Sequence, residues 1–139
     1  MIILQSLLAL IISFEGFSPT AYWDNGWAIG YGHHGPEVTK DLVYTKEKAY
    51  EVLKDDINRS ELCVQRNSPN CRGNCTISMV DFVYNVGCGA YNQSHLRKLI
   101  NKEDWPAAQK ELMKWVHSRG KVIPGLVKRR ATEASLLGE

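Results

Sequence analysis

The sequence predicts an α+β fold, mainly helical, with a small β element near the N-terminus and a helical lobe after it. Three observations lead there. The apolar run "MIILQSLLALIISF" opens the chain, and "TAYWDNGWAIGYG" alternates large and small residues around Asn25-Gly26. Later segments carry apolar residues at helical spacing between good capping residues. With 139 residues, 44% apolar and 23% charged, the chain has the make-up of an ordinary globular domain with a sizeable interior.

Residues 2–14 read as a helix that is apolar almost all round, and so central to a core. The run has no positive n-region and no small-residue cleavage site, and is too short to span a bilayer. It is therefore expected to belong to the mature fold, with neither a recognisable export signal nor stable membrane insertion. Pro19 then breaks the regularity, and Asn25-Gly26 is a strong two-residue hairpin signal. That turn would pair Asp24 with Trp27 and Trp23 with Ala28. Alternation would place Tyr22, Asp24, Trp27 and Ile29 on one face and Ala28 on the other. Gly30, Gly32 and Gly35 keep the backbone bare, as close approach by a ligand or another segment requires.

Thr45 is a good N-cap for a helix over 45–62, with Ala49, Val52, Leu53 and Ile57 on one stripe. Thr76 is expected to cap "ISMVDFVYNVG", whose Met79, Val80, Val83 and Val86 form a core face. Ser94 opens a short helix through Leu96, Leu99 and Ile100. Asp104 caps another with Pro106 in its first turn and Ala107, Leu112, Trp115 and Val116 inside. A last helix, about 124–137, carries Leu126, Val127, Ala134 and Leu137 inward.

Cys63, Cys71, Cys75 and Cys88 lie close together around "CVQRNSPNCRGNC", rich in turn formers. Either two disulfides staple this loop in an oxidising compartment, in any of three pairings, or the thiols are free; the spacing and loop character favour disulfides. A zinc site lacks a matching downstream His or Cys pair, so no metal and no cofactor are expected. A net charge of +2 is too small to argue for nucleic acid, though it suits a polyanionic partner. Three sequons occur, at Asn58, Asn74 and Asn92, where about one would arise by chance, which is faint evidence at most for a glycosylating host.

Glu15 and Asp24 are the residues that invite chemistry. Glycosidic cleavage takes one carboxyl that donates a proton to the leaving oxygen and a second, ionised one that activates water, attacks or stabilises the oxocarbenium-like state. Glu15, flanked by Phe14 and Phe17 at the end of an apolar helix, suits the first role; Asp24, at a solvated hairpin tip, suits the second. A helix-end salt bridge and a turn aspartate are the ordinary fates of such residues, so the pair alone decides nothing.

The surrounding words carry more. The segments with "FEG", "AYWD" and "IGYGHHGPEV" resemble the N-terminal signature of the phage-type lysozymes, or endolysins. "DFVYNVGCGAYNQSHLRKLIN" is similar to the family's Asn-Val-Gly helix and Ser-capped short helix, and "WVHSRGKVIPGLVKRRATEASLL" to its closing segment. The resemblance covers the chain apart from the cysteine loop. It implies a two-lobed lysozyme-like fold as a single domain over 1–139. A β-hairpin sub-lobe would span 17–44, with a connecting helix at 45–62 and a helical lobe built from 1–14 and 76–139. It also implies cleavage of the β-1,4 bond between N-acetylmuramic acid and N-acetylglucosamine in peptidoglycan, by a monomer acting at the cell wall. Export would go through a holin-like pore or by release from the host.

Carried over by position, Glu15 matches the family's general acid and Asp24 its second carboxylate. Where the family has a threonine before Ile-Gly-Tyr-Gly, this chain has Ala28, on a hairpin shortened by about two residues. Asp24 alone would then hold the water, or His34 or Tyr31 would supply the contact, or the site would bind glycan with little or no turnover. An altered cleft could also favour a chitin-like or de-N-acetylated glycan. Trp27, Tyr31 and His34 are expected to contact substrate, and His33 to be structural. Arg129 and Arg130 resemble the family's late arginines, one of which reaches the catalytic glutamate; a solvated basic face with Lys128 is the other reading. Trp105 and Trp115, at helical spacing, read as core.

Overall fold

Residues 2–138 are described by a computed structural model, in which the chain divides into two compact units, up to Asn58 and from Arg59 onward. Among the described residues no helix is long and apolar enough to cross a membrane.

The first unit begins with α1 (Ile2–Glu15). This helix buries Leu7, Leu8 and Ile11 but leaves Gln5, Ser6, Ala9 and Ser13 exposed, so it is one-sided rather than enclosed as its composition predicts. It ends on Gly16, whose positive φ of 67° lets its N–H close back on the Ile12 carbonyl. A three-stranded antiparallel sheet follows, in the order β1 (Ser18–Trp23), β2 (Trp27–Gly30), β3 (His33–His34).

The β1–β2 turn differs from the two-residue loop that Asn-Gly predicts. Trp23 pairs with Trp27 and Tyr22 with Ala28, so the loop is Asp24-Asn25-Gly26. Asn25 and Gly26 both take positive φ, and the Asp24 N–H donates to the Gly26 carbonyl at 2.8 Å. That one-residue slip reverses the predicted faces: Tyr22 now shares a side with Ala28, and Trp23 with Trp27. An isolated bridge, Thr20 to Val43, and the Tyr44 N–H on the Pro19 carbonyl tie the following loop to β1.

Thr45 caps α2 (Lys46–Asn67), its hydroxyl accepting from the Lys48 N–H. The helix runs past the predicted end at 62 because the buried row Ala49, Leu53, Ile57 continues through Cys63 and Val64. Half of the expected cysteine loop is therefore helical. The second unit holds α3 (Asn74–Val86), α4 (Cys88–Gln93), α5 (His95–Asn101), α6 (Trp105–Leu112), a small hairpin β4 (His117–Ser118) and β5 (Lys121–Val122), and α7 (Pro124–Leu137). Neither α4 nor the hairpin is predicted from sequence; each is too short to show a period.

Disulfides join Cys63 to Cys88 and Cys71 to Cys75. The second closes a tight turn in front of α3, which starts from Gly73; Thr76 lies inside the helix and donates to the Cys71 carbonyl instead of capping. Ser94 and Asp104 do cap α5 and α6, accepting from the Arg97 and Ala107 N–H groups. Met79, Val80, Phe82, Tyr91, Leu96, Ile100 and Leu112 fill the core. Trp115 lies beyond the end of α6, edge-on to Phe82 with ring centroids 5.2 Å apart.

The predicted inward face of α7 is wrong in kind. Of that set only Leu137 is fully buried, and Arg129, Arg130 and Glu133 are buried with it. Charged side chains are not read as core from an apolar pattern, and here they enter it in pairs.

Candidate active site

Glu15 ends α1 half-buried, and its carboxylate lies against the turn between β2 and β3. Gly32 has a φ of 85°, which favours glycine, and a Cβ there would stand 2.6 Å from Glu15 Oε1 and displace the carboxylate. Gly30 and Gly35 are similarly crowded, by Ala49 and Tyr44 and by Glu37 and His33. The bare backbone is thus used by other segments of this unit.

Tyr22 lies near the end of β1, two residues before Asp24. Burial raises the pKa of its phenol, and the negative charges of Glu15 and then Asp24 raise it further. Its cross-strand neighbours are Ala28 and, one strand on, His34. Ala28 is completely buried. Asp24 is exposed on the hairpin loop, with its Oδ2 3.9 Å from His34 Nε2. Trp27 is half-exposed and meets Trp23 edge-on at 5.4 Å, while Trp23 itself is 62% exposed. Glu15, Asp24, Ala28, Trp27 and His34 therefore fall on one small sheet and its flanking helix end.

The other candidates have different surroundings. Tyr31 is buried, its ring 5.5 Å from that of Phe17. His33 is buried and bridges two acids, Nδ1 to Asp56 Oδ2 at 2.6 Å and Nε2 to Glu37 Oε2 at 2.8 Å. The hydrogen bond to Asp56 is the main reason its pKa is raised; burial opposes the shift and Glu37 adds to it. Arg129 and Arg130 are not a solvated basic face, although Lys128 is exposed. Arg129 makes a two-pronged pair with Asp81, at 3.0 and 2.9 Å. Arg130 donates to Glu133 Oε1 at 3.0 Å and to Asn85, and its guanidinium lies 4.8 Å from the Phe82 ring centre. Burial, then a hydrogen bond with Asp81, pushes the Glu133 carboxyl well above the usual carboxylate range. Burial also lowers the Arg130 pKa.

Sequence reasoning did not single out Tyr22 or Trp23. Both stand in the "AYWD" motif, and the one-residue error in register gave each the wrong cross-strand partner. Among the described residues no group of three His, Cys, Asp or Glu side chains is arranged to hold a metal ion, and all four cysteines are in disulfides.

The chain is 38% identical over 137 residues to an endolysin of Bacillus phage B103, covering 95% of this chain and 52% of that protein. It thus spans about half the length of that relative. An endolysin of Acyrthosiphon pisum secondary endosymbiont phage 1 is 34% identical, over 93% of this chain and 92% of the relative. Among solved structures, the muramidase domain of SpmX from Asticaccaulis excentricus superposes with a TM-score of 0.85 at 28% identity, covering 96% of this chain and 95% of that one. The family model for phage lysozyme matches residues 12–133, from just before Glu15 through the buried acid of α7, and the chain belongs to that family.

Proposed function

We propose that this chain is a muramidase that hydrolyses the β-1,4 bond between N-acetylmuramic acid and N-acetylglucosamine in peptidoglycan, and so lyses bacterial cell walls. Glu15 is the proton donor to the leaving oxygen, and Asp24 is the ionised partner that activates water or stabilises the oxocarbenium-like state. The observation that carries this reading is the Glu15 carboxylate set against the bare Gly32 turn of the same small sheet whose hairpin loop carries exposed Asp24. The likeness to phage endolysins and to a muramidase domain supports the same substrate.

Roles for the other residues follow from their surroundings. Trp27, with exposed Trp23 edge-on to it, offers apolar ring surface to the C–H faces of sugars. Tyr31 packs on Phe17, and His33 fastens Asp56 and Glu37; both support the sheet. Arg129 and Arg130 stabilise the helical unit through Asp81 and Glu133. The enzyme acts as a monomer at the wall, reaching it through a holin-like pore or by host release, and needs no cofactor.

The decisive experiment is reducing-end release from purified peptidoglycan, wild type beside Glu15→Gln, with folding checked by circular dichroism. Loss of a proton donor should lower the rate by about 100-fold or more. Unchanged lysis by Glu15→Gln would end the assignment. Ala28 favours a second reading, a domain that binds glycan without cutting it, because a sealed methyl can hold no water. Wall binding by a folded wild type with no reducing ends would establish that reading. Release from chitin-like or de-N-acetylated polymer, with none from peptidoglycan, would change the substrate and keep the enzyme.

A further inference from the structure

We infer that Tyr22 and His34 are positioning residues that together hold Asp24 in its working place. The inference rests on the muramidase reading and deepens it. Tyr22, Ala28 and His34 are cross-strand neighbours on β1, β2 and β3, so their side chains leave the sheet on one face in a row. The middle member is a fully buried methyl and offers no donor or acceptor. Polar contact along this row therefore comes from its two ends.

Asp24 needs such contact. Its side chain is 66% exposed, and it opens a loop whose next two residues both have positive φ. A carboxylate in that setting samples several rotamers, whereas a catalytic one must be held to within a fraction of an ångström. His34 lies across this loop. Its Nε2 is 3.9 Å from Asp24 Oδ2, and its Nδ1 would be 3.7 Å from a Cβ on Gly26. One ring thus spans the first and last residues of the loop. Tyr22 stands at the β1 end of the row, two residues before Asp24 and so on the same side of the strand, and its phenol is a hydrogen-bond donor. The imidazole restrains the loop from the β3 side, and the phenol restrains Asp24 relative to Glu15 from the β1 side.

The experiment measures kcat and KM on purified peptidoglycan fragments for wild type, Tyr22→Phe, His34→Ala and His34→Gln, each also in an Asp24→Asn background. Tyr22→Phe and His34→Ala should each lower kcat about tenfold with KM within about twofold, because misplacing a group acts on the transition state rather than on binding. His34→Gln, which can still donate to Asp24, should recover most of the loss. In the Asp24→Asn background both losses should shrink to less than about twofold, the mark of residues that act through one another. If Asp24→Asn leaves no measurable rate, amide relaxation at Asp24, Asn25 and Gly26 decides instead: the loop should become mobile in His34→Ala. Losses confined to KM, equal losses with and without Asp24, or an unchanged loop overturn the inference while the muramidase reading stands. A wild type that releases no reducing ends overturns both.

Discussion

Both units place acids against nitrogen-bearing side chains, and they do so in opposite surroundings. In the sheet unit, Asp24 and His34 face each other at 3.9 Å with 66% and 48% of their side chains exposed. In the helical unit, Asp81, Arg129, Arg130 and Glu133 are all buried, with pairs at 2.9 and 3.0 Å. The exposed pair leaves its carboxylate free to meet substrate and contributes little to stability. The buried pairs have given up water and must satisfy one another; Arg129–Asp81 joins α7 to α3, and Arg130 adds Asn85 of α3 to its pair with Glu133 inside α7. A carboxylate stays open to a ligand or becomes architecture according to how much water reaches it.

The sharpest way to break this comparison is to remove one member of each pair. Arg129→Ala leaves Asp81 buried without its two-pronged partner and should cost about 3–5 kcal/mol. The double replacement Asp81→Leu with Arg129→Met should recover much of that, since no charge is then stranded. Asp24→Asn should change stability by less than about 0.5 kcal/mol while lowering activity. Urea unfolding at neutral pH with a parallel lysis assay reads both. Equal stability losses in Arg129→Ala and Asp24→Asn would mean that burial is not what separates the two sites.

A second asymmetry is covalent. Both disulfides have their cysteines in the helical unit, and Cys63–Cys88 closes a separation of 25 residues. Opening it by Cys63→Ser with Cys88→Ser should cost about 3 kcal/mol on the chain-entropy account. Opening Cys71–Cys75, which are 4 residues apart, should cost less, roughly 2 kcal/mol. Hydrogen exchange on the reduced protein should show protection lost first in α4 and the end of α2, with the sheet around Ala28 less affected. Uniform loss across both units would show that they unfold together.

The sequence foretold some of these features for clear physical reasons. Helix starts at Ser94 and Asp104 were legible because a cap is a local event, decided within four residues. The family was legible through motif order. The hairpin register was not, because Asn-Gly suits both two- and three-residue loops, and choosing between them takes the neighbouring strand. That single error grouped Tyr22 with Trp27 instead of with Ala28 and His34. The α7 core was illegible for another reason: an arginine enters a core only with its acid, and Asp81 lies 48 residues before Arg129. A solvated basic face was one of the two readings of Arg129 and Arg130, and Arg129's partner in the core is tertiary.

The smallest effect, and the one that sharpens the comparison most finely, is the pH dependence of stability. His33 has a raised pKa because it bonds Asp56 and Glu37. Its contribution is complete below the free-histidine value of 6.5 and is lost as pH rises through its higher folded value. Glu133 also has a raised pKa, chiefly through burial. Its stabilising protonated form is favoured below the ordinary 4.5, and the fold weakens as pH rises through the higher folded value, when a carboxylate must be kept charged in the core. Both groups therefore weaken the fold on the alkaline side, from different starting points and in different units. Melting temperatures measured from acid to alkaline pH should fall with rising pH in the wild type. Glu133→Gln should flatten the part of the slope that begins in the carboxyl range, and His33→Gln the part above 6.5. If Glu133→Gln leaves the slope intact, Arg130 is holding that carboxyl ionised, and the helical unit keeps two full charge pairs in its core rather than one pair and a shared proton.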